Sequence, residues 1–208
     1  MNKTNIKKII EILKNSYPDA KCSLDFASPF ELVVAVMLSA QCTDERVNLT
    51  TPNVFSRYSS PESFASADLS ELEKLIHPCG FYRNKAKNIK ACAQKIVTVF
   101  HGEVPHSMEE LTSLPGVGRK SANVILLEAF HIPYGIAVDT HAKRISNRLG
   151  ISKEKTPEKI EQDLLKVIPK ESIQDINHLF VWHGRKCCTA RNPKCISCPI
   201  QNFCPKNL

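Results

Sequence analysis

Long apolar runs are absent from this sequence. The longest, LVVAVML at residues 32–38, is far short of the roughly 20 apolar residues that a membrane-spanning helix needs. A secretion or import leader is also missing, because the amphipathic N-terminus MNKTNIKKIIEILKNSYPD carries acidic residues and has no small-residue cleavage site. Alternating strand patterns, internal repeats and low-complexity tracts are lacking as well. We therefore expect a cytoplasmic protein that does not associate with membranes.

The composition is that of a folded, basic protein. Hydrophobic residues make up 42% and charged residues 24%, as in ordinary soluble domains, and 208 residues suffice for one domain or two small ones. Lys and Arg number 28 against 21 Asp and Glu, which gives a net charge of +7. A clustered surplus of this sign favours a polyanionic partner.

Helical periodicity and capping residues recur along the chain and predict an all-α fold. An N-terminal helix has one aliphatic face, formed by Ile6, Ile9, Ile10 and Leu13. Capping boxes are predicted at Ser28 with Glu31 and at Ser107 with Glu110. Further helices are expected over 139–149, over 157–168 with Thr156 as its cap, and over 172–184.

A basic amphipathic helix is predicted after the Cys79-Gly80 turn. Its apolar stripe comprises Ile89, Cys92, Ala93, Ile96 and Phe100. Its cations are expected to lie largely off that stripe; they are Arg83, Lys85, Lys87, Lys90 and Lys95.

The stretch LPGVGRKSANV at 114–124 interrupts a helical pattern that resumes after Gly118, so 107–130 is predicted to be a helix-hairpin-helix. Gly116 and Gly118 can adopt backbone geometries that other residues resist, and they leave room for another molecule to approach. The free N–H groups of the following helix suit a phosphate. The motif therefore predicts sequence-independent binding of a nucleic-acid backbone. The alternative is an ordinary turn between helices, where proline and glycine are also common.

Lys120 lies at the start of that following helix, where the helix dipole and Arg119 both disfavour the ammonium form. A neutral lysine amine is a nucleophile that forms Schiff bases. The alternative is that Lys120 is one more cation that contacts phosphate.

Asp139, in VDTHAKRISNRLG at 138–150, precedes a helical pattern and fits an N-cap. The same carboxylate could also take a proton from Lys120 or stabilise a cationic sugar. The residues alone leave both roles open.

Nine cysteines fall into two groups. Four are scattered and fit buried or inert thiols: Cys22, Cys42, Cys79 and Cys92. Five crowd the C-terminal segment: Cys187, Cys188, Cys195, Cys198 and Cys204. In a cytoplasmic chain this crowding predicts a metal site, either tetrahedral zinc or an iron–sulfur cluster, and leaves open whether Cys187 or Cys188 is the first ligand.

Four segments together, LSAQCTDERVN (38–48), LPGVGRKSANVIL (114–126), VDTHAKRISNRLG (138–150) and the cysteine series, closely resemble bacterial endonuclease III. The resemblance covers nearly the whole chain. It implies a two-domain helix-hairpin-helix DNA glycosylase fold, with a six-helix domain at 22–132, a second domain formed by 1–21 and 133–208, and a cleft between them.

The resemblance also implies an activity: a monomeric, nucleoid-associated base-excision repair enzyme that removes oxidised pyrimidines from double-stranded DNA and cleaves at abasic sites. It places the catalytic residues at Lys120 and Asp139, and it places a [4Fe-4S] cluster on Cys188, Cys195, Cys198 and Cys204, with Cys187 as a spare thiol. Gln41 would fill the hole left by a flipped nucleotide and Phe81 would be the wedge, a departure from the leucine more common in the family. The remaining DNA contacts are expected at Gly116, Val117, Gly118, Arg119, His141, Arg185, Arg191 and Lys194.

Three rival functions share part of this pattern. An adenine-specific mismatch glycosylase normally lacks the lysine found at position 120 and has a further C-terminal domain, whereas this sequence ends four residues after Cys204. A noncatalytic hairpin module would use Lys120 only for phosphate. An iron–sulfur electron carrier would need no hairpin.

Overall fold

The computed structural model describes residues 2–206, and these residues form α-helices joined by turns, with no β-strand. The helices are Lys3–Ser16 (α1), Pro29–Leu38 (α2), Asp44–Arg57 (α3), Pro61–Ala65 (α4), Leu69–Ile76 (α5), Tyr82–Phe100 (α6), Met108–Thr112 (α7), Arg119–Phe130 (α8), Thr140–Arg148 (α9), Pro157–Val167 (α10) and Ile173–Lys186 (α11). Short 3₁₀ helices span His77–Cys79, Lys170–Ser172 and Gln201–Phe203. The all-α prediction is confirmed. In the part of the chain described, no helix combines the length and apolar character needed to cross a membrane.

The chain divides into two compact units. The central unit is Cys22–Ile132, and the terminal unit combines the chain up to Lys21 with the chain from Pro133 onward. The central unit contains α2 to α8 around a core that includes Leu32, Phe64 and Ile89. The terminal unit contains α1 and α9 to α11 around a core that includes Leu13 and Phe180. Each unit therefore buries its own apolar side chains.

Periodicity identified the buried faces correctly. All four aliphatic residues of the predicted α1 stripe are buried: Ile6, Ile9, Ile10 and Leu13. These residues contribute to the terminal core, so α1 is held by long-range packing.

The two predicted capping boxes are wrong in detail. Ser28 does accept the Glu31 N–H, at 3.2 Å, but the Glu31 carboxylate reaches one residue further back, to the N–H of Ala27 at 2.6 Å. In the second, the Glu110 carboxylate accepts from the Ser107 hydroxyl at 2.7 Å. Both serines still cap their helices, so the helix starts were predicted correctly while the glutamate partners were not.

Thr156 occupies the N-cap position of α10, as predicted, but its side chain makes no capping hydrogen bond. Pro157 occupies the first helical position of α10, where its fixed φ favours a helix start.

Lys85 departs from the predicted placement of the α6 cations. It is only 7% exposed, among buried residues of the central unit. Its ammonium donates to the carbonyls of Leu38, at 2.8 Å, and Cys79, at 2.9 Å. Periodicity cannot reveal this burial, because the carbonyls that accept the ammonium belong to other segments.

Candidate functional site

The turn between α7 and α8 is built on Gly116, which has a φ of +79°. A β-carbon at this position would lie 2.7 Å from Cε of Met37 and 3.0 Å from Cβ of Asn88. Both the left-handed backbone and the lack of space require glycine. The helix-hairpin-helix prediction is confirmed in its α7–turn–α8 form.

Gly118 does not need the conformational freedom that the sequence analysis expected of it. Its φ is −93° and its ψ 174°, which is extended backbone that other residues adopt. A β-carbon there would meet nothing within 4 Å. What its missing side chain provides is open space at the start of α8.

The first turn of α8 has no side-chain cap. The positive end of the helix dipole at the start of α8 therefore has no capping side chain over it. Val117 differs, because its side chain is only 4% exposed and its N–H donates to the carbonyl of Leu114 at 3.1 Å. Val117 is therefore buried and hydrogen-bonded within the turn, whereas Gly118 and the first residues of α8 are exposed.

Lys120 is the second residue of α8 and its side chain is exposed. An exposed amine in the first turn of this helix can reach a molecule whose phosphate is held by the same helix end. The surface that binds a backbone would thereby present a nucleophile next to it.

Asp139 is the N-cap of α9, as the structural interpretation predicted. Its Oδ1 accepts the Ala142 N–H at 2.7 Å, and the side chain is half-buried. This hydrogen bond fixes the carboxylate in one orientation, with Oδ2 as the oxygen that can act on a substrate. Asp139 can therefore cap α9 through Oδ1 and still offer Oδ2 as a proton acceptor.

His141 lies in the first turn of α9, with Nδ1 3.0 Å from the Arg144 guanidinium. Burial lowers the pKa of His141 below its usual 6.5, in spite of the nearby Asp139 carboxylate. Because the guanidinium can only donate, Nδ1 accepts and the ring proton sits on Nε2. Arg144 in turn donates to the carbonyls of Gly184, at 3.1 Å, and Cys188, at 2.9 Å, which ties α9 to the cysteine segment.

Gln41 and Phe81 share an uncommon backbone geometry. Both are non-glycine residues in the left-handed region, with φ of 55° and 47°. Both are exposed, and Phe81 is 64% exposed despite being a large apolar side chain. Strained, exposed residues of this kind are found at functional sites more often than elsewhere.

The C-terminal segment encloses a cavity of about 440 Å³, counting its open mouth. Its lining includes the four predicted ligands Cys188, Cys195, Cys198 and Cys204, together with aliphatic side chains such as Ile145 and Leu149. N–H donors face two of the four sulfurs: Arg148 Nη1 lies 3.3 Å from Cys188 Sγ and the Lys206 N–H 3.4 Å from Cys204 Sγ. A third sulfur, Cys198 Sγ, lies 3.8 Å from Nε2 of His183. Such donors stabilise thiolates that bind an iron–sulfur cluster.

The spacing of the sulfurs bears on the choice between zinc and a cluster. In the described part of the chain, the side chains His183, Cys187 and Cys198 form the group whose metal-binding atoms all lie within 4.8 Å of one another. The four predicted ligands do not form such a group, as a single tetrahedral ion would require. A [4Fe-4S] cluster binds each cysteine to a different iron and so needs four cysteines around one cavity, as Cys188, Cys195, Cys198 and Cys204 are placed here.

Cys187 is buried, and its thiol donates to the carbonyl of Lys194 at 3.7 Å. Burial, with the neighbouring thiols, raises the pKa of Cys187 to about 12. Behind it, His183 is 1% exposed and lies 3.0 Å from the Tyr17 hydroxyl. A hydrogen-bonded chain therefore runs from α1 to Cys198.

Comparison with known proteins shows the class to which this fold and site belong. Residues 34–170 match the family described as HhH-GPD superfamily base excision DNA repair protein, and residues 188–204 match the iron-sulfur binding domain of endonuclease III. The endonuclease III of Synechocystis sp. is 51% identical over 203 residues, which cover 98% of this chain and 93% of that relative. The endonuclease III of Escherichia coli is 41% identical and covers 98% of this chain and 96% of its own length.

Solved structures agree. The chain is similar to the structure of a trapped endonuclease III–DNA covalent intermediate, with a TM-score of 0.94, 42% identity and coverage of 99% and 97% of the two chains. A thermostable thymine-DNA glycosylase shares the fold, with a TM-score of 0.88 at 20% identity. This chain belongs to the endonuclease III family.

Membership establishes the activity, the cofactor and the partner. The protein is a base-excision repair DNA glycosylase with abasic-site lyase activity, directed in this family at oxidised pyrimidines. Its cofactor is a [4Fe-4S] cluster and its partner is DNA.

Four residues of this geometry could not be identified as functional from the sequence: Tyr17, Lys85, Arg148 and His183. Each acts through a contact with a residue distant in sequence, so local spacing held no signal for any of them.

Proposed function

We propose that Lys120 is the nucleophile of both reactions. Its amine attacks the anomeric carbon of the damaged nucleotide, a C–N bond forms, and the base departs with the electron pair of the glycosidic bond. The sugar ring then opens: the C1′–O4′ bond breaks, O4′ takes a proton and the nitrogen forms a C=N bond to C1′. This protonated imine acidifies the neighbouring sugar carbon. Loss of that proton expels the 3′ phosphate by β-elimination and cuts the strand. The observation that carries this assignment is an exposed lysine in the uncapped first turn of α8. A solved relative trapped in a covalent DNA intermediate agrees with a covalent route.

Asp139 is proposed as the acid–base partner. Its Oδ1 is occupied by the Ala142 N–H, which leaves Oδ2 to accept a proton from the amine and to stabilise the cationic sugar as the base leaves. A carboxylate that is held by a capping hydrogen bond loses little orientational freedom on binding substrate, which favours the transition state.

Gln41 and Phe81 are proposed to fill the space that a flipped nucleotide vacates. Their exposure and their left-handed backbone support this role, because a side chain that enters a base stack must project from its turn. The phenyl ring of Phe81 is a stacking and wedging group, as apolar side chains are in other DNA-bending proteins. The enzyme would act on the DNA of the nucleoid, in the cytoplasm.

Cys188, Cys195, Cys198 and Cys204 are proposed as the cluster ligands. Bound there, the [4Fe-4S] cluster ties together the two ends of a segment that has little regular structure of its own. That segment displays Arg191 and Lys194, which are exposed and can contact DNA phosphates, as can Arg185 at the end of α11. Gly116, Gly118 and Arg119 would hold a second stretch of backbone, with His141 near Asp139.

Borohydride trapping tests the proposal. The holoenzyme is incubated with duplex DNA that contains an abasic site, and the imine is reduced to a stable amine. A covalent adduct is expected with the natural chain and is expected to disappear in Lys120→Ala. Lys143→Ala, which removes a lysine that donates to the Lys155 carbonyl, is the control and should retain the adduct. An undiminished adduct in Lys120→Ala would remove Lys120 from its role and would favour the noncatalytic reading of that residue.

A further inference from the structure

Lys85 connects two turns that the proposed function uses together. Its ammonium donates to the Leu38 carbonyl at 2.8 Å, three residues before Gln41, and to the Cys79 carbonyl at 2.9 Å, two residues before Phe81. Its own N–H donates to the Phe81 carbonyl at 3.1 Å. One residue of α6 thus touches the backbone on either side of the Gly80-Phe81 turn and also the end of α2.

Both turns need such support, because Gln41 and Phe81 each hold a left-handed backbone conformation that is unfavourable for a non-glycine residue. A strained conformation persists only where the surroundings fix it. Burial, together with the neighbouring Cys42 thiol, raises the pKa of Cys79, so the two cysteines that flank the turns lie near each other. Lys85 therefore bonds to two turns that are neighbours in the fold.

We propose that Lys85 is a positioning residue for DNA binding, which holds the Gln41 turn and the Phe81 turn in register so that both side chains enter the duplex together. This inference rests on the proposed roles of Gln41 and Phe81. Lys85 itself is buried beneath the turns and does not contact the substrate.

The chemistry of the site explains why a buried cation is used. The Leu38 carbonyl is among the last carbonyls of α2 and the Cys79 carbonyl ends a 3₁₀ helix, so both lie at negative helix ends without a helical partner. A single ammonium satisfies both carbonyls, as an apolar side chain of similar length cannot. Burial lowers the pKa of Lys85, and the two carbonyls compensate for that cost.

The test compares one reaction on two substrates. Single-turnover β-elimination is measured with a duplex that contains an abasic site and with the same strand alone, where no stack has to be filled. We expect Lys85→Met to slow the duplex reaction about tenfold relative to the single-stranded one, the effect of losing a charged hydrogen bond. Lys90→Met is the matched control, because Lys90 lies on the same helix and donates to the Ala67 carbonyl at 2.7 Å. Its duplex-to-single-strand ratio should equal that of the natural chain.

Fluorescence of 2-aminopurine placed opposite the abasic site supplies a second readout. It should show reduced unstacking with Lys85→Met and normal unstacking with Lys90→Met. An unchanged ratio, or an equal loss on both substrates, overturns the positioning role. If Lys85→Met does not fold, Lys85→Gln, which keeps amide donors, is measured in the same way. It should lower the duplex-to-single-strand rate ratio, but by less than the double variant Gln41→Ala with Phe81→Ala, which lacks both inserting side chains. If Gln41→Ala with Phe81→Ala instead keeps the ratio of the natural chain, the proposed roles of those two residues are refuted.

Discussion

The hydroxyl of Tyr17 lies 3.0 Å from Nδ1 of His183, a contact that joins residues 166 positions apart in sequence. Tyr17 caps the C-terminus of α1 and His183 lies in α11, so the bond connects the two stretches of chain that make up the terminal unit. Burial raises the pKa of Tyr17 to about 12. A cysteine that binds iron is a thiolate and can only accept a hydrogen bond, so with the cluster bound Nε2 of His183 would carry the ring proton toward Cys198 and Nδ1 would accept from the Tyr17 hydroxyl.

The first prediction concerns this chain of hydrogen bonds. His183→Leu, which removes the donor to Cys198, should lower the reduction potential of the bound cluster by roughly 50 mV, since about 59 mV corresponds to a tenfold change for a one-electron couple. The reduced cluster carries more negative charge and benefits more from the donor. His183→Gln keeps an amide donor and should preserve most of the potential. Protein-film voltammetry makes the measurement.

Tyr58→Phe is the control for Tyr17→Phe, because Tyr58 is a buried tyrosine of the central unit whose hydroxyl donates to Glu71 at 2.7 Å. Tyr17→Phe should shift the potential in the same direction as His183→Leu, and Tyr58→Phe should leave it unchanged. Equal potentials in all variants would show that the chain has no electronic effect on the cluster.

Asp139→Asn separates capping from chemistry. Asparagine caps helices about as well as aspartate, so the free energy of unfolding should stay within about 0.5 kcal/mol of the natural value. The amide cannot accept the proton, and base release should slow by about 100-fold or more. Thermal unfolding and single-turnover base release make the comparison. Asp139→Ala should show the same loss of activity and an additional destabilisation of about 1 kcal/mol. Full activity in Asp139→Asn would leave capping as the only role of this residue.

Alanine substitutions at the two hairpin glycines are expected to affect different properties, stability at Gly116 and DNA binding at Gly118. Gly116→Ala places a β-carbon against Met37 and Asn88 in a left-handed backbone and should destabilise the fold by about 1–2 kcal/mol. Gly118→Ala should leave thermal stability nearly unchanged, since its β-carbon meets nothing within 4 Å. The added methyl occupies the space above the first turn of α8, however, and should weaken DNA binding in a fluorescence anisotropy titration. Weakened stability in Gly118→Ala would contradict this assignment.

The register of the cysteine series can be tested by single substitutions. Cys188→Ser should lose iron, and Cys187→Ser should retain four irons per chain together with the visible absorption of the cluster. Both thiols line the cavity, but the Cys187 thiol donates to the Lys194 carbonyl, whereas Cys188 Sγ accepts from the Arg148 guanidinium, which favours its thiolate form. The reverse pattern of iron content would identify Cys187 as the ligand. The loss in Cys188→Ser is also expected to raise the sensitivity of the C-terminal segment to proteolysis.

Much of the fold could be predicted because its signals are local. The aliphatic face of α1 follows from a spacing of three and four residues, and a serine before a helix finds its N–H partner three residues on. The exact partners of Glu31 and Glu110 could not be predicted in this way, because a flexible carboxylate chooses among several nearby donors that differ little in energy.

The sequence motifs predicted the candidate site residues, but not the buried residues that hold them in place. Gly116 and Lys120 stand in a recognisable run, whereas Lys85 has the same sequence context as the exposed cations of α6. Lys85 differs from those cations only because the fold brings the Leu38 and Cys79 carbonyls next to its ammonium. His183 likewise gains its role from Tyr17, which no spacing rule connects to it.

The division of the chain also orders events during synthesis. The central unit is one uninterrupted segment, and it can fold as soon as residue 132 has left the ribosome. The terminal unit has to wait, because α1 is made first yet packs with segments made last. Iron delivery is therefore a late step in the maturation of the enzyme, and a chain stalled before Cys204 would carry a finished hairpin but no means of retaining its metal.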